Sequence, residues 1–184
     1  MISRSFANLI ITDKIIVAIT GTNGKITKDS ERMITLREVT NDNIIDILKL
    51  SNTLDESQKK SVAPNAVSLA QAYVNQHKAW PRAIYLDETP IGFVMMALHD
   101  DDIPKEDQPA YYLWRFMIAK EYQGKGYGKT VINILKEKTK QDNQRYLYVT
   151  CTMHDVMPYQ FYIKSGFIDT HEMDDDEEIL KTKI

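Results

Sequence analysis

The sequence predicts a mixed α/β (α+β) domain built on one central sheet, and three observations carry that expectation. From Met33 onward, apolar runs of strand length alternate with stretches of helical periodicity. One run, "IGFVMMAL" at Ile91–Leu98, is apolar almost throughout, as a strand covered on both faces requires. The stretch "EYQGKGYGKT", Glu121–Thr130, then carries the chain from a strand straight into a helix through three glycines.

Taken in order, the elements begin with a β-prone run, Ile15–Thr20, followed by the polar stretch "GTNGKITKDSER". Residues 1–32 read as an N-terminal extension (a hairpin, an arm or a disordered segment) and residues 33–184 as the domain. Ile34 and Leu36 alternate as in a strand, Ile34–Val39. A short helix follows, with Ile44, Ile45, Ile47 and Leu48 on one face, then a second at Asn65–His77 with Ala66, Leu69, Ala70, Tyr73 and Val74 at helical spacing. Strands at Arg82–Asp87 and Ile91–His99 are joined by the turn "DETP". An acidic loop leads to a fourth strand, counted from Met33, at Ala110–Ile118. The helix after the glycine loop, residues 128–141, buries Val131, Ile134 and Leu135. A fifth strand, Arg145–Thr152, is rich in β-branched and aromatic residues. A short helix at Val156–Lys164 stops at Gly166, which suits a left-handed cap. Strands at Phe167–Met173 and Glu178–Lys183 end the chain. The order β-α-α-β-β-β-α-β-α-β-β is that of one sheet with helices packed on it.

Composition narrows the function. A net charge of −3 argues against general affinity for nucleic acid or an anionic membrane. The lone cysteine, Cys151, excludes an internal disulfide framework and fits a reducing compartment. Asp13 and Lys14 split the N-terminal apolar run, so neither a secretory leader nor a membrane span is expected. A cytoplasmic protein without a metal site is the expectation.

The glycine loop is the sharpest feature. Gly124 is followed by only three residues before Gly128-Lys129-Thr130, one short of a nucleoside-triphosphate P-loop. Its glycines still let the backbone approach a ligand, and a helix N-terminus favours anionic oxygens. Lys125 and Lys129 add positive charge. The upstream "GTNGKIT" resembles the ATP-binding loop of Mur ligases, but Ile26 stands where a Mg²⁺-binding hydroxyl belongs. We read it as a coincidental turn.

Gln123-Gly124-Lys125-Gly126-Tyr127-Gly128 fits the Gln/Arg-x-x-Gly-x-Gly/Ala signature of the GCN5-related N-acetyltransferases, and "FYIKSGF", Phe161–Phe167, resembles the aromatic-Tyr-x-x-x-Gly-Phe segment of that superfamily. Within it, "RFMIAKEYQGKGYGK" is most similar to spermidine/spermine acetyltransferases. The resemblance covers about Met33 to Ile184. It implies a mixed, mostly antiparallel sheet flanked by helices, with acetyl-CoA in the splay between the fourth and fifth strands. Phe116, Met117 and Ile118 then offer backbone groups to the pantetheine arm. Gln123, Gly124, Lys125, Gly126, Tyr127, Gly128 and Lys129 hold the pyrophosphate, and Tyr162 is the general acid. Asp155 stands where many members carry a cofactor-binding asparagine, and Pro158 replaces a small residue. A homodimer acting on a small-molecule amine is the implied assembly and partner.

The chemistry sets its own demands. A lysine-like amine, pKa about 10.4, costs roughly 4–5 kcal/mol to deprotonate at pH 7. The leaving thiolate needs a proton, which a phenol can supply. The base stays unassigned, because Trp114 and Arg115 occupy the middle of the fourth strand, where animal polyamine acetyltransferases carry acidic residues. His99, Asp100, His154 and Glu38 are the remaining candidates. The acidic runs Asp100–Asp102 with Glu106 and Asp107, and Asp174–Glu178, read as solvated loops or as attractors of a cationic substrate. The expected function is acetyl transfer to a primary amine, polyamines leading. The alternatives are a protein or peptide N-acetyltransferase and a non-catalytic acyl-CoA sensor.

Overall fold

In the computed structural model, residues 32–152 and 156–184 are described, together with the backbone strand Ile16–Ala18. The Mur-like stretch, His154 and Asp155 lie outside the described residues. Eight strands form one sheet in the order β1-β2-β3-β4-β5-β6-β8-β7. They are β1 (Ile16–Ala18), β2 (Met33–Arg37), β3 (Ala79–Leu86), β4 (Thr89–Ala97), β5 (Ala110–Ile118), β6 (Tyr146–Thr152), β7 (Ile168–Asp174) and β8 (Glu177–Lys183). Every neighbouring pair is antiparallel except β5 and β6. A parallel pair needs a long crossover, and the helix after the glycine loop supplies it.

Five helices cover the two faces: α1 (Ile44–Leu50), α2 (Gln58–Ser61), α3 (Asn65–Val74), α4 (Tyr127–Gln141) and α5 (Val156–Lys164). On one face, Val131, Ile132, Ile134 and Leu135 of α4 and Tyr162 of α5 pack on Ile34, Leu36, Val94, Leu113 and Val149. Each of those four α4 side chains is fully buried, and such burial stabilises by about 1.5–3 kcal/mol apiece. On the other face, Ile47 and Leu50 of α1 and Ala72 of α3 pack on Phe93, Met95 and Met117. β4 lies between the layers, which is why it is apolar on both sides.

Two helix faces differ from the sequence expectation. Ile45 is exposed on α1, and on α3 the buried residues are Asn65, Ser68 and Ala72, while Tyr73 and Val74 are about three-quarters exposed. A polar anchor turns α3. The Asn65 side chain donates to the Ile47 carbonyl at 2.7 Å, and its backbone N–H donates to Ser51 Oγ at 2.9 Å. Satisfying a buried amide outweighs burying two apolar side chains at the C-terminal end of the helix. α2 had no apolar periodicity to reveal it. Pro81 is tolerated in β3 because it lies ahead of the β2 pairing, which begins at Ala83.

Candidate active site

β5 and β6 pair only over Ala110↔Tyr146, Tyr111↔Leu147 and Tyr112↔Tyr148. Beyond that point β6 stays on β8 through Thr152↔Glu177, and β5 stays on β4 through Ile118↔Gly92. The two strands therefore splay. A bulge accompanies the parting: Leu113 faces Met96 and Arg115 faces Met95, so Trp114 has no opposite number in β4. Such a bulge bends its strand and turns two successive side chains to one face. A cleft of about 800 Å³ fills the V. Its walls are β5 from Tyr112 to Ile118, β6 from Val149 to Thr152, part of α5, and the segment around α2.

The glycine loop closes one end of this cleft. Gly124 and Gly126 have φ of 71° and 86°, in the left-handed region that favours glycine. A Cβ at either would meet nothing within 4 Å, so the loop presents bare backbone to open space. α4 starts after Gly126 with no side-chain cap and no acidic residue in its first turn. Its leading N–H groups thus lack helix partners, and Lys129 stands beside the positive end of the helix dipole. That pattern is unfavourable alone and favourable around an anion.

The predicted residues divide in their tasks. Gly124, Gly126, Gly128 and Lys129 line the cleft, as do Phe116, Met117 and Ile118. Lys125 is exposed, 5.6 Å from the Tyr122 ring centroid. Tyr127 packs against the core and accepts a hydrogen bond from Arg32. The Gln123 side chain is engaged internally, donating to the Ile118 carbonyl at 2.7 Å and accepting from Gln58 at 2.9 Å. It ties the loop to the end of β5 and to α2. Gly128 serves packing, since a Cβ there would come within 3.3 Å of the Phe161 ring.

Tyr162 lines the cleft from α5 at 7% exposure, with its ring edge-on to Phe161 and Phe167. Burial first, then the nearby Cys151, Tyr112 and Glu177, push its phenol well above the ordinary value. It is a protonated hydroxyl at neutral pH. Burial likewise pushes the Cys151 thiol up to about 12, so this cleft residue is no thiolate nucleophile.

The base candidates from sequence stand elsewhere. Glu38 pairs with Arg82 at 3.5 Å, His99 with Asp101 at 3.0 Å, and Asp100 lines a small separate recess with His99. Sequence reasoning missed Glu177. This residue was read as part of an acidic turn, yet it lines the cleft, where its carboxylate accepts from Thr150. Thr150 is in turn 2.8 Å from the Tyr112 hydroxyl. Asp107 moves the other way, from a presumed solvated loop to a buried partner of Lys181 and Tyr148. Local sequence carries no signal for Glu177, because its contacts with Thr150 and Thr152 cross strands. Arg115 lines the cleft as well. Its guanidinium donates to the Trp114 carbonyl at 2.7 Å and to Gln71 at 3.2 Å, while no described group accepts from its buried Nε.

Comparisons with known proteins agree with this geometry. A probable spermine N(1)-acetyltransferase from Bacillus subtilis subsp. natto is 27% identical over 77% of this chain and 91% of its own length. A PaiA N-acetyltransferase from Thermoplasma acidophilum, crystallised with coenzyme A, has a TM-score of 0.58 at 17% identity, covering 82% of this chain and 99% of that one. An aminoglycoside acetyltransferase crystallised with coenzyme A and kanamycin gives 0.66 at 18% identity, covering 82% and 94%. At such identities the two structures speak for the fold alone. The model of the acetyltransferase (GNAT) family matches residues 43–167, well over half of the sequence, and takes in β5, the glycine loop, α4 and Tyr162: the chain belongs to the GNAT family of acetyltransferases.

Proposed function

We propose that this acetyltransferase moves an acetyl group from acetyl-CoA to a primary amine of a small molecule, by direct attack in a ternary complex, with polyamines such as spermidine and spermine as leading acceptors. The splay of β5 from β6, ending on the bare glycine loop, carries this reading. An exposed strand edge suits an extended pantetheine arm, which adds to it as another strand would. The unpaired amides opening α4 suit a pyrophosphate. The coenzyme A named for two solved relatives of the same fold supports the cosubstrate, and the name of the Bacillus relative supports the acceptor.

In this scheme the backbone of Phe116, Met117 and Ile118 aligns the arm, with the Ile118 carbonyl already taken by Gln123. Backbone groups from Gly124 to Lys129 hold the pyrophosphate, and the Lys125 and Lys129 side chains add charge. Tyr162 donates its proton to the departing thiolate. The phenol's raised pKa keeps that proton in place until the C–S bond breaks, and the same apolar surroundings raise the basicity of the sulfur that takes it. The protonated Cys151 thiol favours direct attack over an acetylated-enzyme intermediate.

A thiol-release assay with acetyl-CoA against spermidine, spermine, an aminoglycoside and a peptide N-terminus tests the reading. Turnover is expected with the polyamines. Turnover with peptide alone would make this a protein N-acetyltransferase, and coenzyme A binding without turnover would make it a sensor. Absence of coenzyme A binding would overturn the reading altogether.

A further inference from the structure

We propose that Glu177, at the start of β8, docks the acceptor's ammonium group and takes the proton that it must shed before attack. This rests on the acetyl-transfer reading of the cleft. The cleft needs such a group, because a cationic amine enters walls that carry Lys60, Arg115, Lys129 and Lys164. Among the described residues lining it, Glu177 is the one carboxylate. Pairing of Glu177 with Thr152 places it past the point where β5 and β6 part, on the wall opposite Arg115 of β5.

Its orientation is built rather than accidental. The Thr150 hydroxyl donates to Oε2, so the Tyr112 hydroxyl, 2.8 Å from Thr150, is left to donate to Thr150 in turn. This Tyr112–Thr150–Glu177 chain crosses the floor of the splay, from its closed end to its open one. It fixes one carboxylate oxygen, and Oε1 has no hydrogen bond to a described residue. Glu177 also acts on the titratable groups around it. In Tyr112, Tyr162 and Cys151 its charge adds to burial in holding the proton on, and in Arg115 it offsets part of the burial that disfavours the cation. Asp174, cross-strand from Glu177 on β7, and its chain neighbours Asp176 and the buried Glu178 are the further acidic groups beside it.

The step balances without any further reactant. The ammonium gives one proton to Glu177, and the freed lone pair forms the C–N bond at the thioester carbon. Collapse of the adduct breaks the C–S bond, and the sulfur takes the Tyr162 proton. The second proton on nitrogen restores the phenol, and the proton on Glu177 leaves through the open cleft. One amide, one thiol and one released proton result.

The test compares wild type with Glu177→Gln and Glu177→Asp, using spermidine as the amine. Coenzyme A affinity should stay within about twofold in both variants, because no part of the glycine loop changes. For Glu177→Gln, kcat/KM for spermidine should fall by about a hundred- to ten-thousand-fold near pH 7. Aspartate should recover part of that loss. The glutamine deficit should shrink as pH rises toward the amine's own pKa, about 10, where free amine needs no acceptor. Glutamine activity within threefold of wild type, or a deficit that ignores pH, would overturn the proposal while leaving acetyl transfer intact. A wild-type chain that binds coenzyme A but acetylates none of the amines tested would overturn it too. Absence of coenzyme A binding in wild type would bring down the acetyl-transfer reading, and this proposal with it.

Discussion

The two halves of the β5–β6 pair treat their polar groups in opposite ways. Where the strands are zipped, around Ala110–Tyr112 and Tyr146–Tyr148, polar atoms are spent on the protein itself. Tyr148 and Lys181 both donate to Asp107, Tyr111 donates to Asp142 at 2.8 Å, and Arg145 donates to the Glu106 carbonyl at 2.6 Å. Where the strands part, β5 keeps an edge without β6, Arg115 Nε finds no acceptor among the described residues, and the glycine loop holds out bare amides. Buried polar groups are ordinarily satisfied, so the open Arg115 Nε sets this half apart from the zipped one. One strand pair thus closes at one end and opens at the other, where the proposed cosubstrate enters.

The largest test of the open half is Tyr162→Phe. The ring keeps its edge contacts with Phe161 and Phe167, so packing and coenzyme A affinity should survive. Losing a general acid costs about a hundred- to ten-thousand-fold in rate, or roughly 3–5 kcal/mol. The loss should fall on kcat, measured under saturating acetyl-CoA. A rate within a few-fold of wild type would assign the proton to water and return Tyr162 to the core.

Next comes Gly126→Val. A side chain at φ of 86° is strained whatever the space, at about 1–2 kcal/mol, and its branches would stand in the open cleft where phosphates are proposed to lie. Coenzyme A affinity by calorimetry should drop about ten- to a hundredfold, each tenfold being 1.4 kcal/mol. Gly128→Ala makes the contrast sharper, for its Cβ meets Phe161 and not the ligand. It should lower stability more than affinity. Equal effects on affinity would place Gly128 against the phosphates as well.

These variants follow what was readable from sequence and what was not. Strands, the glycine loop and Tyr162 were legible because period-two alternation, glycine punctuation and a short motif are local. The splay was expected only through resemblance, since nothing in Leu113–Ile118 announces that its β6 partner will leave. Trp114 carries no mark of a bulge, which arises from pairing with Met95 and Met96. Glu177 and Asp107 looked alike, two acids in acidic loops, and tertiary contacts gave one to the cleft and the other to the core. Tyr73 and Val74 misled because helical spacing fixes a face but not which face turns inward.

A smaller effect is expected in the closed half. Asp107→Asn leaves Lys181 and Tyr148 with a weaker partner in a buried place and should cost about 1–3 kcal/mol in urea unfolding. Acetyl transfer at saturating substrate should not change. Burial alone would raise the Asp107 carboxyl, yet the hydrogen bonds from Lys181 and Tyr148 outweigh it and hold the carboxyl below its ordinary value. A depressed carboxyl stabilises the fold above its unfolded value, about 3.9, and loses that contribution as pH falls through the folded one. The gap between wild type and variant should therefore hold from neutrality to about pH 4 and close below it. A constant gap would mean that packing, not charge, is lost.

The smallest effect on the cleft is predicted for a chain that starts at Met33. The strand Ile16–Ala18 pairs with β2 at the far end of the sheet, and β2, β3 and β4 stand between it and β5. β2 has a second partner in β3, from Ile34↔Leu86 to Arg37↔Ala83, and its first residue is held by the Asp87 side chain at 2.9 Å. The trimmed domain gives up the long Arg32–Tyr127 hydrogen bond, 3.5 Å, but keeps every cleft-lining residue. It should therefore keep its sheet and bind coenzyme A within about twofold of the full chain. What changes is the edge. Trimming bares a ladder that carries Ile34 and Leu36, and unpaired edges invite other chains, so self-association should rise with concentration in sedimentation. If the trimmed chain self-associates no more than the full chain but loses coenzyme A, residues 1–32 act on the cleft itself, and the division between a closed half and an open half would need a third contributor.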